Sequence, residues 1–165
     1  MRFTAEHQFS GPVEALTALL LDPGFHMQLQ LPDVGLPEVV EATTQGDEDV
    51  LRLRYEYTGQ LDPIARRLLG NRKLTWLQEM RVDRGVGTGR LNFHAEADPK
   101  RLHGSANVRF EPTDAGAGSQ RRLEGRLTVA VPVVGGTAER RIIEGLLRRL
   151  DVEAKALDQR LRDGD

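Results

Sequence analysis

The strongest constraint on this chain lies at its C-terminal end. From about Gly136 to Arg162 runs one uninterrupted amphipathic helical pattern, with Ile142, Ile143, Leu146, Leu150, Ala154, Leu157 and Leu161 as its apolar stripe. At 1.5 Å per residue such a helix is about 40 Å long, enough to cross a whole sheet. Everything between it and the first forty residues alternates apolar and polar residues in strand-like segments. A long terminal helix after a run of strands implies an antiparallel sheet curled around that helix, and a curled sheet often encloses a hollow.

The N-terminal end fits the same plan. In residues 2 to 9, Phe3, Ala5, His7 and Phe9 fall on one face, and Arg2, Thr4, Glu6 and Gln8 on the other. That two-residue period predicts a half-buried strand. A helix follows, capped by Ser10 or Gly11, with Pro12 in its first turn and Val13, Leu16 and Leu20 on one face. Asp22-Pro23 ends it and starts a second short helix reaching about Gln30, before Pro32. Six further strands are predicted at 37–45, 48–59, 72–83, 88–97, 101–112 and 120–131, separated by short turns such as Gly46-Asp47 and Asp98-Pro99. Short turns require antiparallel neighbours, because a parallel pair needs a crossover of about a dozen residues. The exception, 60–71, reads as a loop carrying a short helix: a flap at one end of the sheet, or a surface loop over the core.

Composition removes several function classes. A chain of 165 residues suits one domain, 1–165, burying roughly 70% of its unfolded surface. A formal net charge of −2 argues against a dedicated nucleic-acid binder. The absence of cysteine excludes disulfides, thiolate metal sites and cysteine nucleophiles. The longest apolar stretch, Leu16 to Leu21, falls far short of the roughly 20 residues a membrane span needs, and no secretory leader is apparent. A cytoplasmic protein without stable membrane insertion is expected.

The element order, together with the opening MRFTAEHQF, the capped helix after it and the strand containing LTWLQEMRV, resembles the START-like, or SRPBCC, superfamily. The likeness extends over essentially the whole chain and is to an uncharacterised bacterial branch. It implies an α+β helix-grip fold: a seven-stranded curved antiparallel sheet around a long C-terminal helix, with two short helices after the first strand. Relatives of this kind, polyketide cyclases and pollen allergens among them, generally hold apolar or amphipathic molecules between sheet and helix. Some catalyse cyclisation or dehydration, and others are carriers or interaction modules. No catalytic signature carries over residue by residue.

Strand parity nominates the inward face. The apolar body of a ligand would lie along Phe3, Trp76, Phe93, Ala106, Val108 and Leu127 beneath Ile143, Leu146 and Leu150, with its polar end at Tyr55, Tyr57, Gln78 or His7. Ala95, Ala97, Gly104, Ala106 and Gly125 put small side chains on neighbouring strands, which leaves space under the helix or lets the helix pack close. Tyrosine and tryptophan are equally ordinary core residues with a satisfied polar tip.

Other constellations are weaker. His94, Glu96 and Asp98 share a strand face near His103, but that face points outward, and Glu96 opposite His103 suits a cross-strand pair better than a metal site. His7, with Tyr55 or Tyr57, is the best acid–base candidate; a satisfied core histidine is the alternative. His26 falls at a cavity mouth or in solvent. Gly85, Gly87 and Gly89 lack the strand-to-helix context of a phosphate loop and read as a hairpin turn. Gly135-Gly136-Thr137 opens the last helix with Thr137 as cap, or offers free N–H groups to an anion. Arg140-Arg141 and Arg148-Arg149 read as that helix's solvated side, or as a contact for an acidic partner or anionic membrane. The expected function is binding of a hydrophobic or amphipathic small molecule, whether lipid, polyketide-like or aromatic, by a monomer or homodimer without metal or cofactor. The alternatives are a cyclase or dehydratase using His7 with a tyrosine, and an interaction or dimerisation module with a filled core.

Overall fold

The structure, a computed structural model, describes residues 1–164. Strand β1 (Arg2–Phe9) leads into helices α1 (Val13–Leu20) and α2 (Pro23–Gln28). Strands β2 (Glu38–Gln45) and β3 (Glu48–Glu56) follow, then helix α3 (Pro63–Leu69). The meander continues through β4 (Thr75–Asp83), β5 (Thr88–Ala95), β6 (Leu102–Thr113) and β7 (Gly118–Val129), and ends in helix α4 (Gly135–Asp163). All pairings are antiparallel, in the order β1-β7-β6-β5-β4-β3-β2, so the first strand closes against the last. This curved sheet gripping a long C-terminal helix is the helix-grip fold.

The alternation in the sequence is the cause of the burial pattern. On β1, Phe3 and Phe9 are buried while Arg2, Thr4, Glu6 and Gln8 are exposed. Leu91, Val108, Leu123 and Leu127 are buried from the central strands, and α4 lays Ile143, Leu146, Leu150, Ala154 and Leu157 on them. Each fully buried leucine contributes roughly 1.5–3 kcal/mol. The outer face carries ion pairs such as Arg54 to Glu96 at 2.7 Å and Arg81 to Glu48 at 2.7 Å. Pairs of that exposure contribute little to stability, about 0–1 kcal/mol each.

Helix ends depart from expectation in two places. Pro12, not Ser10 or Gly11, is the N-cap of α1, and no side chain caps it. Ser10 instead donates its N–H to Asp158 of α4 at 2.7 Å, and Gly11 abuts Leu161, so packing against α4 sets this corner. Helix α4 begins at Gly135 with Val134 as its N-cap, placing Thr137 inside the first turn. Gly135 is required because a Cβ there would stand 2.5 Å from the Val129 carbonyl oxygen. Where the spacing was legible, the caps match: Asp22 accepts the Gly24 N–H at 2.9 Å at the start of α2.

Ala95 and Ala97 border open space, but Gly104 and Gly125 do not. A Cβ at Gly125 would meet Phe3 Cζ at 2.7 Å, and one at Gly104 would collide with the Phe93 ring, so aromatic rings occupy the gaps. Ala106 faces Gly125 across β6 and β7 and is buried in the same cluster.

Candidate functional site

The hollow lies at one end of the grip, displaced from its middle. A cavity of about 310 Å³ is bounded by β4, β5, the start of β6, the N-terminal half of α4 and the α3 segment. Its walls are mainly apolar: Leu61, Ala65, Leu74, Trp76, Phe93, Ala95, Leu102, Ala138, Ile142 and Leu146. A second space of about 180 Å³ continues beneath α3, sharing Ala65, Leu74, Ala95, Leu102, Ala138 and Ile142 with the first. A larger depression of about 830 Å³ lies across the outer sheet, among Glu48, Arg81, Arg90, Arg109, Arg122 and Glu124. Its lining is a solvated array of mixed charge, without the apolar walls that bind small molecules. The inner cavity is therefore the candidate site.

Its rim is built by charges from α4. Arg141 bonds Asp62 at 2.5 Å, and Arg148 bonds Asp33 at 3.1 Å. Asp62 also caps α3 by accepting the Ala65 N–H at 2.8 Å; that bond first, and Arg141 after it, hold its carboxyl below the usual range. Helix α3 buries no residue fully and leaves Ile64 and Leu68 exposed, so this cover over the cavity rests on a few contacts. A dry void of 310 Å³ would cost roughly 7 kcal/mol at about 24 cal/mol per Å³, as much as many domains' whole stability. The space must hold water or a ligand.

Of the predicted ligand-contact residues, Tyr57, Trp76, Gln78, Phe93 and Leu146 line this cavity. Tyr55 and Leu150 stand beside it around a minor pocket of about 20 Å³. Tyr55 stacks on Trp76 with ring centroids 5.6 Å apart, and burial pushes its hydroxyl pKa well up. Phe3, Ala106, Val108, Leu127 and Ile143 line none of the inner spaces; they lie in the close-packed core, because aromatic rings fill the gaps beside the glycines. The metal-like residues separate as well. His94 pairs with His103, which shifts the register expected for Glu96, and Glu96 turns to Arg54. Among the described residues no group of three potential ligands is gathered. His26 is in neither expected setting: it is buried, with Nε2 donating to the Leu20 carbonyl at 2.6 Å.

His7 points inward but meets no tyrosine. Its Nδ1 lies 3.2 Å from Arg121 Nη2 and its Nε2 2.9 Å from Asp151 Oδ1. Guanidinium can only donate, so Nδ1 accepts and Nε2 carries the proton toward Asp151. Arg121, fully buried, bonds Glu153 of α4 at 2.6 Å. This cluster of β1, β7 and α4 was missed at the sequence level. The signals were present: Arg121 has the parity of Leu123, and Glu153 falls inside the α4 stripe.

Burial first, and the Arg121 charge second, lower the His7 pKa below its ordinary 6.5, outweighing the opposing pull of Asp151. The unfolded chain therefore binds this proton at a higher pH than the native one. The contribution is fully present above about pH 6.5 and is lost as pH falls through the native value. Urea midpoints should drop more between pH 7 and pH 5 in the parent than in His7→Gln. Equal slopes would show that His7 is not held neutral.

The fold is the helix-grip fold, with an apolar cavity at one end. Sequence comparison is more specific: the chain belongs to the family described as proteins of unknown function DUF2505, whose model matches residues 4–161. No curated protein matches it. Solved structures similar to it include TTHA0849 from Thermus thermophilus, at 18% identity and TM-score 0.65, covering 100% of this chain and 99% of that one. The Zhui aromatase/cyclase from Streptomyces sp. R1128 is similar at 14% identity and TM-score 0.65, covering 98% and 93%. Ara h 8.0201 is similar at 13% identity and TM-score 0.64, covering 99% and 98%. Identities this low establish a shared fold. Among the described residues, no helix is long and apolar enough to cross a membrane.

Proposed function

We propose that this protein binds a hydrophobic or amphipathic small molecule in the cavity between β4–β6, α3 and α4. The observation that carries the reading is the cavity itself: about 310 Å³ of mainly apolar lining, with Tyr57 and Gln78 as neutral polar groups. That volume falls at the lower end of the range for small-molecule sites, and the space beneath α3 extends it. A lipid, polyketide-like or aromatic compound would lie against Trp76, Phe93 and Leu146 under the α3 cover. An aromatase/cyclase among the similar structures lends support to such cargo. A cyclase reaction through His7 is disfavoured here, because His7 is engaged by Asp151 and Arg121 and does not line the cavity.

Ala138→Phe tests the reading. Ala138 is half-buried on α4 and lines both spaces, so a phenyl ring there fills the site without entering the packed core. Native mass spectrometry of protein from its own host should show a retained apolar compound in the parent and at least about tenfold less in the variant. The chain's single tryptophan, Trp76, is in the cavity wall, so its emission should shift on adding an apolar probe such as 1-decanol. Protein that carries nothing and whose Trp76 emission ignores apolar probes overturns the proposal.

A further inference from the structure

Three arginines of α4 line the cavity, and they are not equivalent. Arg141 and Arg148 are neutralised by Asp62 and Asp33. Arg149, read from the sequence as part of a solvated face, is half-buried instead. Among the described residues no carboxylate pairs with it, and its guanidinium makes no hydrogen bond. Its Cζ sits 5.7 Å from the centre of the Trp76 ring. Gly145, one turn earlier, makes room for it: a Cβ there would lie 3.2 Å from Nη1.

Burial first, and the neighbouring Arg148 charge second, disfavour the charged form of Arg149, yet an arginine stays protonated in proteins. The molecule therefore holds a positive charge, with unused N–H donors, against an apolar cavity. Such a charge is costly unless something pairs with it. A guanidinium presents a planar fork matched to a carboxylate, and bidentate pairs of this kind are among the stronger polar contacts. One unpaired cation suits one negative charge; a phosphate dianion would call on Arg141 and Arg148, which are already paired.

We infer that the ligand is an amphipathic monocarboxylate whose carboxylate bonds the Arg149 guanidinium while its apolar body lies along Trp76, Phe93 and Leu146. The inference rests on the cavity-binding reading above and adds the chemical class of the ligand.

The test compares decanoate with 1-decanol at pH 8, below micellar concentrations, with affinities taken from the midpoints of Trp76 emission titrations. Decanoate should bind the parent about 10- to 100-fold more tightly than the alcohol, the range expected for a hydrogen-bonded charge pair. Arg149→Gln should erase the preference, bringing the ratio of the two affinities close to one, while continued binding of the alcohol shows that the cavity remains. Arg149→Lys should retain part of the preference. If decanoate and decanol bind alike and Arg149→Gln alters neither, the carboxylate assignment falls while the cavity reading stands. If neither compound binds the parent, both fall together.

Discussion

Replacing Glu153 by alanine should lower the free energy of unfolding by about 3–5 kcal/mol, measured from urea transitions at pH 7. The Arg121 side chain is 0% exposed, and its only carboxylate partner among the described residues is Glu153, itself 8% exposed. Removing the carboxylate leaves a guanidinium in the interior with no counter-charge, and its Nε already lacks a partner. The penalty is one of desolvation; the intact pair need not be strongly stabilising. A second variant separates the two ideas. Arg121→Met combined with Glu153→Leu removes both charges and should recover most of the loss. A Glu153→Ala protein as stable as the parent would mean that Arg121 reaches water in solution, and that the grip is looser at this end than described.

Gly104→Val should cost about 1–3 kcal/mol and weaken ligand uptake as well. The tip of the Phe93 ring sits against Gly104, and a Cβ there would stand 2.6 Å from Cε2, so the ring must move. Phe93 lines the cavity, and a valine beneath it pushes the ring toward the ligand space. The two positions should therefore couple. In a Phe93→Ala background, Gly104→Val should cost far less than it does alone, and the difference in a double-mutant cycle measures the contact. Additive effects would show that Phe93 does not rest on Gly104.

Much of the fold was legible because periodicity reports burial directly. The strand periods and the α4 stripe predicted seven strands, two short helices and a long one, and the segment 60–71 carries α3 as expected. The inner face was legible for the same reason, and Tyr57, Trp76, Gln78, Phe93 and Leu146 do meet at one cavity. Parity says which side a residue faces, but not how closely the opposite layer approaches. Gly104 and Gly125, read as leaving space under the helix or letting it pack close, are seats for the rings of Phe93 and Phe3. Charge was read less well: Arg149 was grouped with the solvated arginines of α4 but leans on Trp76, and the burial of Arg121 went unforeseen.

The sequence by itself determined which segments become strands and helices, which face of each is apolar, and that the sheet must close around α4. These follow from local periodicity, a property of neighbouring residues along the chain. Only the tertiary structure decided where the hollow sits, which arginines find carboxylates, and that His7 meets Asp151 and Arg121 rather than a tyrosine. Those outcomes depend on distances of a few ångströms between residues 32 to 144 positions apart in the chain, set by the curvature of the sheet and the seating of α4 upon it.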